Sequence, residues 1–358
     1  MKVMIAAGGT GGHIYPALAL AEMLKKEDSS TEIVFFGSDN RMEAKVIPDA
    51  GYRFYGITMS GMNGGIAAKA ASLLSLIKAE KECRKILHQE KPDICVGFGN
   101  YISVPLIKAA HGLSIPTMIH EQNSFAGKAN RYLVKYADAI VGCYQSNLEQ
   151  FPKEKTKLLG NPEASLAAQV QWNPKTLTEL GLQEDIPFVL FMMGSLGSSS
   201  VSKVIDEALP LLHQEYQVVV ATGKSNEYVY QYSSDQRVKI VEFVNGKMML
   251  KGCALAVLRA GATTMAEIGA IGTPSILIPS PYVPNNHQYH NAMELVNEKA
   301  AAMIEEKDLN AESLAERVNT LMADSSARQQ MHTNALKQGK VDAAENMIAW
   351  MKELARNG

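Results

Sequence analysis

His13 closes a run of small residues, Gly8-Gly9-Thr10-Gly11-Gly12, that leads from an apolar segment into a helical pattern, PALALAEMLKK. A glycine-rich turn of this kind presents backbone N–H groups at a helix N-terminus and suits an anionic ligand. As a dinucleotide signature it is incomplete. GxGxxG read from Gly9 needs a third small residue where Ile14 stands, which disfavours a nicotinamide oxidoreductase. The positive helix end disfavours imidazolium, so the His13 ring stays neutral and can take a proton from an alcohol near neutral pH. A ring that only caps the helix or ties down the loop is the competing reading, and both stay open.

Three further segments have the right chemistry. His120-Glu121-Gln122-Asn123 follows the apolar run IPTMI, and the carboxyl end of a strand is where substrates are held in open α/β sheets. Asn123 suits sugar hydroxyls or a pyrophosphate, and Glu121 is a second candidate base; a plain solvated loop is the alternative. Arg259-Ala260-Gly261-Ala262-Thr263-Thr264-Met265-Ala266-Glu267 follows LAVL, and its small residues at a helix start suit a diphosphate. Glu267 can accept hydrogen bonds from both hydroxyls of a ribose. Asn285 to Asn291 is dense in amides, which suit sugar hydroxyls better than a metal. Neither a metal nor another cofactor is expected.

The elements that must carry these loops occur twice. A strand over residues 1–7, a glycine loop and a helix recur as PFVLFMM (187–193), Gly194 to Ser200, and VSKVIDEALPLL. Apolar runs follow at 31–37, 93–99, 115–121 and 139–144, and again at 216–223, 238–244, 255–261 and 273–279. Such runs, separated by helical stretches, fit parallel sheets covered on both faces. Two doubly wound domains are expected, 1–161 and 162–341, with the terminal helix 342–358 packing back on the first. Their strand ends would then form the two walls of one cleft. The 358 residues suit two domains. The net charge of −2 argues against nucleic acid as a partner. It is uneven: residues 1–161 carry 19 Lys+Arg against 15 Asp+Glu, and the remainder 16 against 22. The four scattered cysteines read as small buried hydrophobes, with no metal-like spacing. Met1 runs directly into the first strand, so no signal peptide is expected, and no apolar run reaches the roughly 18–20 residues of a membrane span.

Together these motifs resemble the MurG family. The resemblance runs end to end: GGTGGHIYPALALA (8–21), NRMEAKVIP (40–48), GFGNYISVP (97–105), HEQNSFAGKANR (120–131), GNP (160–162), GSLGS (194–198), RAGATTMAE (259–267) and NNHQYHNA (285–292). It implies a GT-B fold with an interdomain cleft. It also implies an inverting, metal-independent transfer of N-acetylglucosamine from UDP-GlcNAc to the 4-hydroxyl of muramic acid in lipid I, for peptidoglycan synthesis. By the same resemblance, Thr10, Gly11 and Gly12 line the donor side with His13 as base. Asn123, Ser195, Val244, Ala262, Thr263, Thr264, Met265, Glu267 and Gln288 bind the donor; Tyr101 and Glu121 face the acceptor.

Three departures from the family pattern stand out. Glu163 and Ala164 stand where the family has Arg at a donor-binding position, a loss expected to weaken donor binding by about 1–3 kcal/mol. Asn100 replaces a Gly, and Ser202 an Asn. A lipid-linked acceptor implies a peripheral place on the cytoplasmic side of the membrane, alongside other cell-wall synthesis proteins. Residues 66–87 supply an amphipathic stretch for this, with Lys78, Lys81, Arg84 and Lys85 beyond its apolar face; an ordinary helix covering the sheet is the alternative. The competing functions are a catalytically weak UDP-sugar-binding scaffold and a transferase for another lipid acceptor.

Overall fold

A computed structural model describes residues 1–59, 66–194, 197–223, 226–232 and 235–357, with the side chains of 66–74 and 357 excepted. The chain forms two compact units, Met1–Leu166 with Asp342–Gly358, and Ala167–Val341. Unit 1 is built on seven strands: β1 (Lys2–Ala6), β2 (Glu32–Ser38), β3 (Arg53–Ile57), β4 (Ile94–Gly97), β5 (Thr117–Glu121), β6 (Ala139–Gly142) and β7 (Thr156–Lys157). Unit 2 has six: β8 (Phe188–Met192), β9 (Gln217–Ala221), β10 (Val238–Val241), β11 (Leu255–Leu258), β12 (Ser275–Leu277) and β13 (Ala302–Met303). Every pairing is parallel, in the orders β3-β2-β1-β4-β5-β6-β7 and β10-β9-β8-β11-β12-β13.

The continuous apolar runs are explained by burial on both faces. In β1, Val3 and Ile5 face a cluster with Leu20, Met347 and Met351, while Met4 and Ala6 face Leu87, Leu106 and Ile107. Ile33 and Phe35 of β2 join the first cluster and Val34 and Phe36 the second, the period of two expected of a strand. The Ala343–Asn357 helix packs on the Gly11–Glu27 helix of unit 1, and Ser165 Oγ joins it by donating to Glu345 at 2.9 Å. In unit 2, Val189, Phe191, Val218 and Val257 pack with Val201, Ile205, Leu314 and Val318.

Three strands lie outside the sequence-based expectation, and all are at sheet edges. β7 and β13 have two residues each, too few for a pattern. β3, RFYGI, is mixed in polarity because Arg53 and Tyr55 reach a buried carboxylate. Glu90 accepts from Arg53 at 2.5 Å, from Tyr55 at 2.6 Å and from Lys2 at 2.6 Å. Burial works against its ionisation, but these partners prevail and hold the carboxyl down at about 2.

Candidate active site

In each parallel sheet the first strand ends in a glycine loop at the carboxyl edge, between strands whose connections run in opposite directions. Ligands bind at that switch point in doubly wound folds. In unit 1, Gly9 adopts φ +87°, and a Cβ there would lie 2.1 Å from the Asn100 amide. Only glycine fits. Glu43, fully buried, accepts from Gly9 N at 2.9 Å and Ser38 N at 3.1 Å, which ties the loop to the end of β2.

The loop delivers Thr10 as N-cap of the Gly11–Glu27 helix and His13 in its first turn. Thr10 caps no backbone N–H; instead its Oγ1 lies 2.8 Å from His13 Nδ1. The other side of the half-buried ring packs on Gly99 (φ +83°), where a Cβ would stand 3.2 Å from His13 Cδ2 and 3.5 Å from both His13 Nε2 and Asn130 Nδ2. Thus Thr10 holds one ring nitrogen while the second glycine loop borders the other side of the ring.

Gly99 also borders Asn130, at the end of the 120–130 segment. Glu121 is 2% exposed, and its Oε1 accepts from Asn123 N at 3.1 Å and Asn123 Nδ2 at 3.3 Å. Its Oε2 accepts from Gly127 N and Asn130 Nδ2, both at 2.9 Å. Burial pushes the carboxyl up, and the N–H donors pull it back in part. Asn130 and Glu43 received no role from sequence reasoning. Each lies inside a quoted motif, GKANR and NRMEAK, which was the available signal. The Asn100 departure is accommodated: its φ of +61° is one that Asn tolerates, and its side chain donates to Gly8 O at 3.3 Å and accepts from Tyr101 N at 2.6 Å. Tyr101 is half-buried, and its hydroxyl has no hydrogen-bond partner among the described residues.

His120 behaves differently from its neighbour. It is fully buried, hydrogen-bonds Gly160 O through Nε2 at 3.0 Å and packs on Phe98 at 5.0 Å between centroids. Burial pushes its pKa down to about 4. The unfolded chain therefore takes up this proton first, below the ordinary value of 6.5. Its contribution to stability is complete above 6.5 and shrinks as pH falls toward 4, by about 1.4 kcal/mol per pH unit. His120→Gln, whose amide can still donate to Gly160 O, should flatten that slope in urea titrations at stepped pH. An unchanged slope would trace the acid sensitivity to another group.

In unit 2, Ser195 lies outside the described residues. Ser198, N-cap of the Ser199–Ala208 helix, accepts from Arg259 at 2.8 Å, and the same guanidinium reaches Glu306 at 2.7 Å and Ile278 O at 3.1 Å. Ala262, Thr263, Thr264 and Met265 form the first turn of the Ala262–Ile271 helix, whose N-terminal N–H groups have no intrahelical acceptor. Thr263 Oγ1 is buried there without a hydrogen-bond partner among the described residues. Glu267, one turn on, is 9% exposed with Lys247 Nζ 3.9 Å from its carboxylate. Val244 is half-buried just before the Gly246–Gly252 helix. Gln288 is the second residue of the His287–Asn297 helix and accepts from Ser280 N at 2.9 Å, with Asn285 and Asn286 left-handed before the helix.

Thr10, Gly11, Gly12, His13, Tyr101, Glu121 and Asn123 thus belong to unit 1, and Val244, Ala262 to Met265, Glu267 and Gln288 to unit 2. Glu163 belongs to unit 1. It is buried in the first turn of the Glu163–Gln169 helix, its amide donating to Asn161 at 3.0 Å. Ser202 is buried and accepts from Asn226 at 3.1 Å, so an amide still reaches this point, from another residue. Among the described residues no group of three His, Cys, Asp or Glu could hold a metal, and no helix is long and apolar enough to cross a membrane.

Two doubly wound parallel units, each with a glycine loop and helix N-terminus at its sheet's carboxyl edge, make up the GT-B fold. The glycosyltransferase family 28 N-terminal domain matches residues 3–141, and the family's C-terminal domain matches residues 188–347. The UDP-N-acetylglucosamine–N-acetylmuramyl-(pentapeptide) pyrophosphoryl-undecaprenol N-acetylglucosamine transferase of Limosilactobacillus fermentum is 38% identical, over 99% of this chain and 98% of that protein. The crystal structure of Acinetobacter baumannii MurG is 25% identical with a TM-score of 0.79, covering 98% of this chain and 99% of that one. The chain belongs to glycosyltransferase family 28, among its MurG transferases. A putative UDP-N-acetylglucosamine 2-epimerase from Listeria monocytogenes shares the fold at 17% identity and TM-score 0.72, covering 98% of this chain and 95% of that one. The fold alone therefore does not fix the reaction.

Proposed function

We propose that this chain moves N-acetylglucosamine from UDP-GlcNAc to the 4-hydroxyl of the muramyl sugar of an undecaprenyl-pyrophosphoryl acceptor, inverting the anomeric carbon. The observation that carries the reading is the Thr10–His13 pair. With its proton on Nδ1, His13 donates to Thr10 Oγ1 across 2.8 Å, the tautomer in which Nε2 is the basic nitrogen that takes the acceptor proton. The acceptor oxygen bonds to the anomeric carbon as Nε2 takes its proton. The bond from that carbon to the UDP oxygen breaks, and its electrons leave on the diphosphate. First-turn amides at Ala262 to Thr264 oppose that charge, as preorganised dipoles do wherever charge develops.

Glu267 receives the ribose hydroxyls, Val244 the uracil through its backbone and Gln288 the sugar hydroxyls. Removing two charge-assisted hydrogen bonds in Glu267→Ala should weaken UDP-GlcNAc binding about 10- to 100-fold by calorimetry. Undiminished affinity would remove Glu267 from the donor site.

The acceptor's lipid chain calls for a membrane face on unit 1. Lys135 Nζ sits 4.9 Å and 5.0 Å from the rings of Tyr132 and Tyr136, Arg131 lies 4.5 Å from Phe125, and Ile77 is 46% exposed with Lys78 and Lys81 nearby in sequence. This mixture of aromatic, apolar and basic groups suits an anionic bilayer surface. Of the four cations first noted on this helix, Arg84 and Lys85 are paired to Glu80 and Glu82, which leaves Lys78 and Lys81 the better candidates.

The test of the whole reading is turnover of a lipid I analogue, followed by UDP release and by the mass of the product. Tight UDP-GlcNAc binding without product would favour the scaffold. UDP release on a different lipid alone would favour another acceptor.

A further inference from the structure

We propose that Arg41 is the cation that meets the diphosphate of the acceptor, an inference that rests on the function just proposed. Arg41 lies just beyond β2, at the carboxyl edge of the unit 1 sheet. Its place there is fixed by Glu43, whose carboxylate holds Gly9 N and Ser38 N. The guanidinium carbon lies 5.7 Å from the centre of the Tyr101 ring, which follows the second glycine loop. Asn100 joins the two loops through Gly8 O. The guanidinium therefore lies beside the residue that follows the second glycine loop, which is itself tied to the first.

The charge of this group is not consumed by the protein. Arg41 is exposed and has no ion pair among the described residues. The two acids closest to it in sequence are committed elsewhere: Glu43 to the loop amides, and Asp39 to Thr58 Oγ1 at 2.5 Å. The buried Tyr101 hydroxyl beside it lacks a hydrogen-bond partner among the described residues. N–H groups of Gly11 and Gly12 open the 17-residue helix that follows the first loop. A planar guanidinium, a phenol and helix N-terminal amides form a set that recognises phosphate oxygens. The cation–π contact with the ring limits the side-chain freedom that a lone surface arginine would lose on binding.

A diphosphate occurs in both substrates, so the test must separate them. Steady-state kinetics of R41A and R41K would use two soluble muramyl acceptors, one diphosphate-linked and one with an uncharged linker of the same length. In R41A the KM for the diphosphate-linked acceptor should rise about tenfold or more, with KM for UDP-GlcNAc unchanged. R41K should recover part of that loss, since a point charge remains without the bidentate fork. On the uncharged acceptor R41A should match wild type. Equal losses on both acceptors, a rise in the UDP-GlcNAc KM, or no change would each overturn the assignment. A wild-type protein inactive on both acceptors would remove the proposed function and the Arg41 role with it; an active wild type with an unaltered R41A removes Arg41 alone.

Discussion

His13→Ala is expected to lower kcat by about 10²- to 10⁴-fold, the usual range for loss of a positioned general base, while leaving UDP-GlcNAc binding almost unaltered. The separation follows from geometry. His13 belongs to unit 1, held by Thr10 on Nδ1 and bordered by Gly99 on the other side, whereas the residues assigned to the donor nucleotide belong to unit 2. Thr10→Val tests the same claim more gently. It removes the acceptor for Nδ1–H but leaves the ring, so the tautomer with its proton on Nδ1 is no longer favoured. A partial fall in kcat, restored by Thr10→Ser, is the expected pattern. Gly99→Ala should also harm turnover, because its methyl would come within 3.2 Å of His13 Cδ2 at a φ of +83°. Stopped-turnover assays across this set, with donor affinity measured in parallel, decide the matter. Full kcat in His13→Ala would reduce the ring to a helix-end hydrogen-bond partner.

Much of the fold was legible because both sheets are buried on both faces. Strands such as MKVMIAA and PFVLFMM are uninterrupted apolar runs, and the glycine loops behind them mark the turn into a helix. Edge strands gave no such signal. β3 carries Arg53 and Tyr55 because their partner, Glu90, is buried at the end of a helix 35 or more residues away. The site was legible as motifs but not as a division of labour. Glu43 sits in NRMEAKVIP, which looks like an exposed polar helix, yet it is wholly buried under the first glycine loop. His13 and Asn130 both border Gly99 only because the loops of one sheet converge. Contacts of this kind, between residues about 30 to 90 apart in sequence, leave no trace in periodicity or spacing.

Glu121→Ala should cost about 3–5 kcal/mol of stability, read as a lower urea midpoint, before any effect on proton transfer can be assigned. Sequence reasoning allowed either His13 or Glu121 as the base. A carboxylate offers about four lone-pair sites. Those of Glu121 meet Asn123 N, Asn123 Nδ2, Gly127 N and Asn130 Nδ2, so none faces an acceptor hydroxyl. Removing the carboxylate leaves buried donors without their acceptor in the loop that positions Asn123 and Asn130. Glu121→Gln keeps one oxygen for Asn123 but turns an amide N–H₂ toward Gly127 N and Asn130 Nδ2, or the reverse, so its loss should be intermediate. Kinetics then separate support from chemistry. A supporting Glu121 predicts that both variants, assayed where they remain folded, retain kcat well above that of His13→Ala, with the larger change in KM. A Glu121→Gln protein as stable as wild type but as slow as His13→Ala would reverse the assignment and make the carboxylate the base.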